Sequence, residues 1–181
     1  ALRNGKALEL RPLLPSDEFA YRNFFYSLQE KTIYMRFFYK MRTFTHEVAQ
    51  KQWASLDYRH NISIVGLTQK GGHKEIVAIG SYAKEGDDRA EVAFVVREDC
   101  QGQGIASYLL ELLEVIAKEN GYKSFAATVL RENASMLRVF KNRYPNASVT
   151  FSSGSEVLVH MDFADAKAKL EARPEAGVRA D

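Results

Sequence analysis

"VREDCQGQGIASYLLELLEVI", residues 96–116, sets Gly102 and Gly104 directly in front of a helical apolar pattern. Ile105, Leu109, Leu112, Leu113 and Ile116 fall on one helical face, and Gly121 stands at its end as a natural C-cap. Glycine is a poor helix starter, because it loses more backbone freedom on ordering than any other residue. What glycine supplies is close approach. A Gly-containing loop between a strand and a helix N-terminus aligns unpaired N–H groups with the helix dipole, and this makes the stretch a phosphate seat. A triphosphatase loop would end in Gly-Lys-Ser/Thr, whereas this one reads Gly104-Ile105-Ala106, with no lysine to reach a terminal phosphate. A dinucleotide fold would need a third glycine, an acidic residue about 20 positions on and a parallel βαβ unit. The strands upstream read instead as a meander.

Outward from the loop, the chain alternates in period. "NISIVGLTQ" (61–69), "EIVAIGSYAK" (75–84) and "AEVAFVVRE" (90–98) are β-rich runs separated by the turn-formers "KGGHK" and "EGDDR", the spacing of three antiparallel strands. Downstream lie a strand, "KSFAATVL" (123–130), and a short helix, "NASMLRVFKNR" (133–143), capped by Asn133. A hairpin of "ASVTFSS" (147–153) and "EVLVHMDF" (156–163) follows. Upstream, "KALELRPL" (6–13) is extended up to Pro12 and Pro15. A helix follows with Ser16 and Asp17 as caps and Phe19, Tyr21, Phe24, Phe25 and Leu28 at helical spacing. "KTIYMRFF" (31–38) fits no single period, and "THEVAQKQWASL" (45–56) reads as a helix capped by Thr45. The expected order is β-α-α-β-β-β-α-β-α-β-β.

Composition narrows the function classes. The 181 residues are 46% hydrophobic, enough for one packed core, and the Ala-rich segment 164–181 reads as a frayed helical or disordered tail. The 25 basic and 23 acidic side chains are mixed along the chain, so no nucleic-acid or membrane partner is expected. A lone Cys100 excludes an internal disulfide and fits a reducing, cytoplasmic setting. The four histidines have no ligand spacing, and no metal is expected. The start lacks both Met and a signal-peptide pattern, which fits a domain of a longer polypeptide.

Gln101, Gly104 and Ala106 match the pyrophosphate signature Gln/Arg-x-x-Gly-x-Gly/Ala of the GNAT acyltransferase superfamily. "AEVAFVV" before the loop resembles that family's central strand, and "VLRENASMLRVFKNRYP" its following strand and helix, with Asn133 and Met136 at the familiar spacing. The resemblance runs from about residue 6 to residue 163. It implies an α+β (α/β) fold of GNAT type, a mixed central sheet with a splayed strand pair flanked by helices, over domain 1–163. "LELRPLLPSDE", "FFYSLQEKTIYMRFF" and "SLDYRHN" are similar to segments of protein lysine acetyltransferase domains that modify acyl-CoA synthetases, and of GNAT domains appended to acyl-CoA-handling enzymes.

The resemblance also implies a cofactor geometry. Acetyl-CoA would be held at its pyrophosphate by the N–H groups of Gln101, Gly102, Gln103, Gly104, Ile105 and Ala106, with the Ser107 hydroxyl. The backbone of Phe94, Val95 and Val96 would bond pantetheine, and one of their N–H groups would face the thioester oxygen. Asn133, Met136 and Phe140 would complete the cofactor side. Glu91 is the expected general base: strand alternation sets it on one face with Ala93 and Val95, where partial burial would raise its pKa and suit it to take a proton from an amine. The competing reading pairs Glu91 with Arg89 or Arg97.

Two departures stand out. Phe140 occupies the position where many GNAT enzymes carry the tyrosine that protonates the departing thiolate, leaving Tyr144 or Tyr108 as substitutes, and Arg143 replaces a usual glycine. Phe125 and Val129 are candidates to shape an acyl pocket. Cys100, beside a helix N-terminus, is a candidate acyl carrier or a spectator. Asp57, Tyr58 and Arg59 either border an acceptor path or cap a turn. Three functions follow from the resemblance: transfer of acetyl from acetyl-CoA to a protein lysine, with an acyl-CoA synthetase as the expected acceptor; a catalytically weak acyl-CoA-binding regulatory domain; or transfer to a small amine.

Overall fold

The computed structural model describes residues 2–38 and 46–167. Seven strands form one mixed sheet in the order β1-β2-β3-β4-β5-β7-β6. They are β1 (Glu9–Pro12), β2 (Asn61–Lys70), β3 (His73–Lys84), β4 (Arg89–Val96), β5 (Ser124–Leu130), β6 (Ser148–Phe151) and β7 (Glu156–Asp162). The helices are α1 (Glu18–Ser27), α2 (Glu30–Phe37), α3 (His46–Ala54), α4 (Ile105–Glu119) and α5 (Ala134–Arg143). The meander expected from the sequence is present: β2 turns into β3 through Gly71 and Gly72, both at positive φ, and β3 runs antiparallel to β4.

Three features differ from the sequence reading. Segment 31–38 resolves as helix α2, which buries Ile33 against the sheet; its aromatics hid the period because Tyr34, Met35 and Phe37 are only partly covered. Asp17 does not cap α1 with its side chain. Its carboxylate instead meets Arg11 in a two-pronged pair at 2.7 and 2.8 Å and accepts from the Leu14 N–H. The stripe that α4 buries is Ile105, Leu109, Leu110, Leu113 and Ala117, while Leu112 and Ile116 stay partly open. Thr45, the expected cap of α3, lies outside the described residues, as do residues 168–181 of the tail.

Both faces of the sheet carry a core. On one, α4 and α5 cover Val92, Phe94, Phe125, Ala127, Val157 and Val159. On the other, Tyr21, Phe24, Phe25 and Leu28 from α1 and its end, with Ile33 of α2, cover Val65, Leu67, Ile76 and Ile79. Helix α4 ends in a Schellman motif, as Gly121 led one to expect: the Tyr122 N–H reaches the Ala117 carbonyl at 2.9 Å and the Gly121 N–H that of Lys118 at 3.0 Å.

Candidate active site

The site begins where the one parallel strand pair comes apart. Strands β4 and β5 are in register at Arg89↔Ser124, Ala90↔Phe125 and Glu91↔Ala126, and pairing stops there although β4 continues to Val96 and β5 to Leu130. The edge of β4 past Glu91 therefore faces a gap, with backbone groups that no strand satisfies. A small, solvent-open cleft lies in that gap. Its walls are Glu91 through Phe94 on β4, Ala127 through Val129 on β5, and Asn133, Met136 and Phe140 around α5. Met35, Arg36 and Phe38 close it from the end of α2.

Glu91 stands at the fork. Alternation along β4 holds as expected: Ala90, Val92, Phe94 and Val96 are buried, while Glu91, Ala93 and Val95 share the other face. Glu91 is exposed in the cleft wall, where partial burial had been expected. The competing ion-pair reading is removed. Arg89 is engaged by Glu85 at 2.8 Å, and Arg97 by Asp99 at 2.7 and 3.0 Å and by Glu75 at 3.2 Å. Among the described residues no side-chain hydrogen bond holds the Glu91 carboxylate, so it is available to a ligand.

β4 leads through a short 3-10 turn, Glu98–Cys100, to the glycine loop. Gly102 (φ 73°) and Gly104 (φ 87°) both take the left-handed conformation that L side chains rarely adopt. Gly104 is the N-cap of α4 and brings no side chain to cap it, and the first turn of α4 carries no acid. The leading N–H groups of Ile105, Ala106 and Ser107 thus end a fifteen-residue helix with neither a capping oxygen nor a repelling charge. Such an end fits a pyrophosphate. Gln101 is no idle surface residue, since its side-chain amide donates to the Val96 carbonyl at 2.9 Å and ties the loop to the end of β4. That bond occupies the Val96 carbonyl. The Arg89 carbonyl accepts from the Glu85 N–H and the Arg97 N–H donates to the Val77 carbonyl, so the odd-numbered residues of β4 turn their backbone groups to β3, Val95 opposite Ile79 among them. Of the three residues expected to meet pantetheine, Phe94 and the Val96 N–H face the gap, and Val95 does not. Ser107 is exposed on the first turn of α4.

On the far wall, Asn133 caps α5 by accepting from the Met136 N–H at 3.2 Å. Phe140 is buried and packs against the Phe94 ring, centroids 6.1 Å apart, so it contributes an apolar wall without a proton. Neither substitute for the missing tyrosine lines the cleft. Tyr144 is fully buried, and its hydroxyl donates to Glu114 at 2.6 Å. Burial, and then the Glu114 carboxylate, push that phenol far above its ordinary value. Tyr108 lies half-exposed on the first turns of α4. Arg143, at the usual glycine position, closes α5 and grips Glu114 with two bonds at 2.9 and 3.1 Å.

The minor candidates also separate. Burial and the neighbouring Asp99 charge push the Cys100 thiol up, the opposite of what an acyl-carrying thiolate needs. Asp57 accepts from the N–H groups of Arg59, His60 and Asn61, so it caps the turn into β2. The Tyr58 hydroxyl is tied to the Leu13 carbonyl. Val129 lines the cleft, whereas Phe125 packs into the core against Phe163 at 4.7 Å. The part of the wall that sequence reasoning missed is the end of α2: Met35, Arg36 and Phe38. A helical reading of 31–38 would have carried those residues toward the sheet. No group of three or more His, Cys, Asp or Glu among the described residues is arranged to hold a metal ion.

A forked sheet, an uncapped helix end and a carboxylate at the fork make up the candidate site. The chain belongs to the GNAT acetyltransferase family, whose profile matches residues 28–143, and members of that family use acetyl-CoA. It is 31% identical over 144 residues to the acetyltransferase Pat of Mycolicibacterium smegmatis, an alignment that covers 76% of this chain and 41% of that protein. The GNAT domain of S. lividans PAT superposes with a TM-score of 0.78 at 28% identity, covering 89% of this chain and 93% of that domain. The fold is shared at 16% identity with yncA of Salmonella typhimurium, solved with its cofactor acetyl-CoA (TM-score 0.65, covering 94% and 99%). No helix among the described residues is long and apolar enough to cross a membrane.

Proposed function

We propose that this domain transfers an acetyl group from acetyl-CoA to the ε-amine of a protein lysine, with Glu91 as general base. The observation that carries the proposal is the position of Glu91: it is the last paired residue of the β4–β5 seam, unclaimed by either neighbouring arginine, at the point where the cleft opens. The likeness to Pat and to the S. lividans PAT domain supports acetyl transfer, and the resemblance of "LELRPLLPSDE" and "SLDYRHN" to protein lysine acetyltransferase domains points to a protein acceptor, with an acyl-CoA synthetase as the expected class.

The thioester of acetyl-CoA supplies an activated acetyl group and a thiolate leaving group. The chain's own residues supply the rest. The N–H groups of Gly102 through Ala106 and the Ser107 hydroxyl bind the pyrophosphate, the Gln101 N–H being taken by the Glu98 carbonyl at 3.2 Å, and the free edge of β4 at Phe94 and the Val96 N–H orients the pantetheine arm. One of those N–H groups donates to the acetyl carbonyl oxygen as negative charge develops there. Met136, Phe140 and Val129 make an apolar wall that excludes water. A lysine of pKa about 10.4 arrives as the ammonium and gives up two protons in all: one passes to solvent as the amine becomes neutral, and Glu91 accepts the other, directly or through a water, as the amide forms. The new C–N bond forms as the C–S bond breaks. With Phe140 carrying no hydroxyl and Tyr144 held by Glu114, the thiolate leaves unprotonated, which a thiol pKa near 8.5 permits at neutral pH.

Isotope-labelled acetyl-CoA incubated with a de-acetylated lysate of the source cell tests this reading, with lysine mass spectrometry as the readout. The expected result is label on a few lysines, acyl-CoA synthetases among them. Label on small amines alone would replace the protein acceptor, and no label above the non-enzymatic background with coenzyme A binding retained would favour a regulatory domain.

A further inference from the structure

The residues in front of β1 form a compact turn fastened at both ends. The Leu2 N–H reaches the Lys6 carbonyl at 2.8 Å, the Gly5 N–H reaches the Leu2 carbonyl at 2.9 Å, and the Asn4 side chain accepts from the Lys6 N–H at 3.1 Å. Leu2 anchors the turn, with its side chain 4% exposed in the same core cluster that holds Ile105 of α4. From this anchor the turn reaches the glycine loop, 99 residues away in sequence. The Asn4 N–H donates to Gln103 Oε1 at 3.1 Å, and Arg3 Nη1 reaches the Gly102 carbonyl at 3.4 Å. The loop is thereby held from two sides, since Gln101 ties its other end to Val96.

We propose that the Leu2–Lys6 turn is a positioning element for cofactor binding, with Asn4 and Gln103 setting the glycine loop before acetyl-CoA arrives. The inference rests on the reading of residues 101–107 as the pyrophosphate seat. The physical reason lies in the loop's composition. Gly102 and Gly104 give it the left-handed conformation it needs, and the same residues give it the most freedom to lose on binding. A ligand that must order such a loop binds more weakly than one that finds it ordered. The Gln103 side chain, directed at Asn4, acts on the phosphate through the backbone it restrains. Sequence reading offered no sign of this, because residues 1–5 precede the first periodic element and Gln103 looked like part of the anion seat itself.

The test uses the whole chain, with Gln103→Met removing the acceptor, Asn4→Pro removing the donor N–H, and the double variant. Two readouts are needed: the coenzyme A dissociation constant by calorimetry, and hydrogen exchange at amides 102–106 without ligand. Loss of one hydrogen bond should weaken coenzyme A binding by about three- to tenfold and speed exchange in the ligand-free loop. Acetyl-CoA KM should rise with it, by a larger factor than any change in kcat. The double variant should be no weaker than Asn4→Pro, which also loses the bond from the Lys6 N–H to the Asn4 side chain. Unchanged exchange and affinity in Gln103→Met, or single effects that multiply in the double variant, would overturn the brace. Failure of the wild type to bind coenzyme A would overturn the seat itself, a different outcome.

Discussion

Glu114 carries a carboxylate into the core at 1% exposure, within reach of Arg143, Lys118 and the Tyr144 hydroxyl. Burial opposes its ionisation, but the bonds from Arg143, Lys118 and Tyr144 together outweigh that and hold it below its ordinary value of 4.5. A folded-state pKa that is lowered means stability present above the unfolded value and lost as pH falls through the folded one. Urea unfolding should therefore show Glu114→Gln less stable than wild type at neutral pH, with the gap narrowing as pH drops below about 4.5. Tyr144→Phe separates the structural role from the catalytic one: it should lower stability by about 1.5–3 kcal/mol, the worth of a hydrogen bond to a charged group. Acetyl transfer should stay within twofold of wild type, because the hydroxyl faces Glu114 and not the cleft. The face that Glu91 shares with Ala93 and Val95 was legible from strand alternation. Glu114 was not, since a partner 29 residues on leaves no mark in "ELLEVI".

The strands, α4 and α5 were readable because each keeps one period and ends on a recognisable cap or turn. Helix α2 was not. Eight residues with two aromatics, Tyr34 and Phe37, offer too few repeats to tell a buried face from a half-covered one, and its burial is decided by a sheet that follows it in sequence. Close packing between elements is equally silent. Gly80 of β3 reads as an ordinary strand residue, yet a Cβ there would stand 3.0 Å from ring carbons of Phe94 and 3.2 Å from Leu109 Cβ. Gly80→Ala should thus cost about 1–3 kcal/mol by overpacking, measurable by thermal or urea unfolding. It should also disturb Phe94, whose ring supports Phe140 in the cleft wall. An unchanged melting curve would mean that β3 and α4 can move apart at no cost.

At the scale of the whole molecule, the fork between β4 and β5 joins the two halves of the sheet through only three register pairs. A ligand that completes this seam and also binds the end of α4 should stabilise the entire fold. Binding to the native state alone adds about 2.7 kcal/mol at a hundredfold excess over the dissociation constant. For a domain of this size that raises the melting temperature by about 5–10 °C. Coenzyme A should produce the shift and free pantetheine much less, since only the former carries the pyrophosphate that the glycine loop is proposed to bind. The glycine loop between β4 and α4 could be read from the sequence and the splayed strand pair was implied by the resemblance, but the point where pairing stops, after Glu91, leaves no local mark.

Acetyl transfer by Glu91→Gln, with coenzyme A affinity measured on the same preparation, tests the central claim most directly. A general base contributes about 10²- to 10⁴-fold, so transfer to protein lysine should fall within that range while the dissociation constant for coenzyme A stays within twofold. Transfer at the wild-type rate would contradict the assignment of Glu91, and with it the account of the fork as the place where the amine loses its proton.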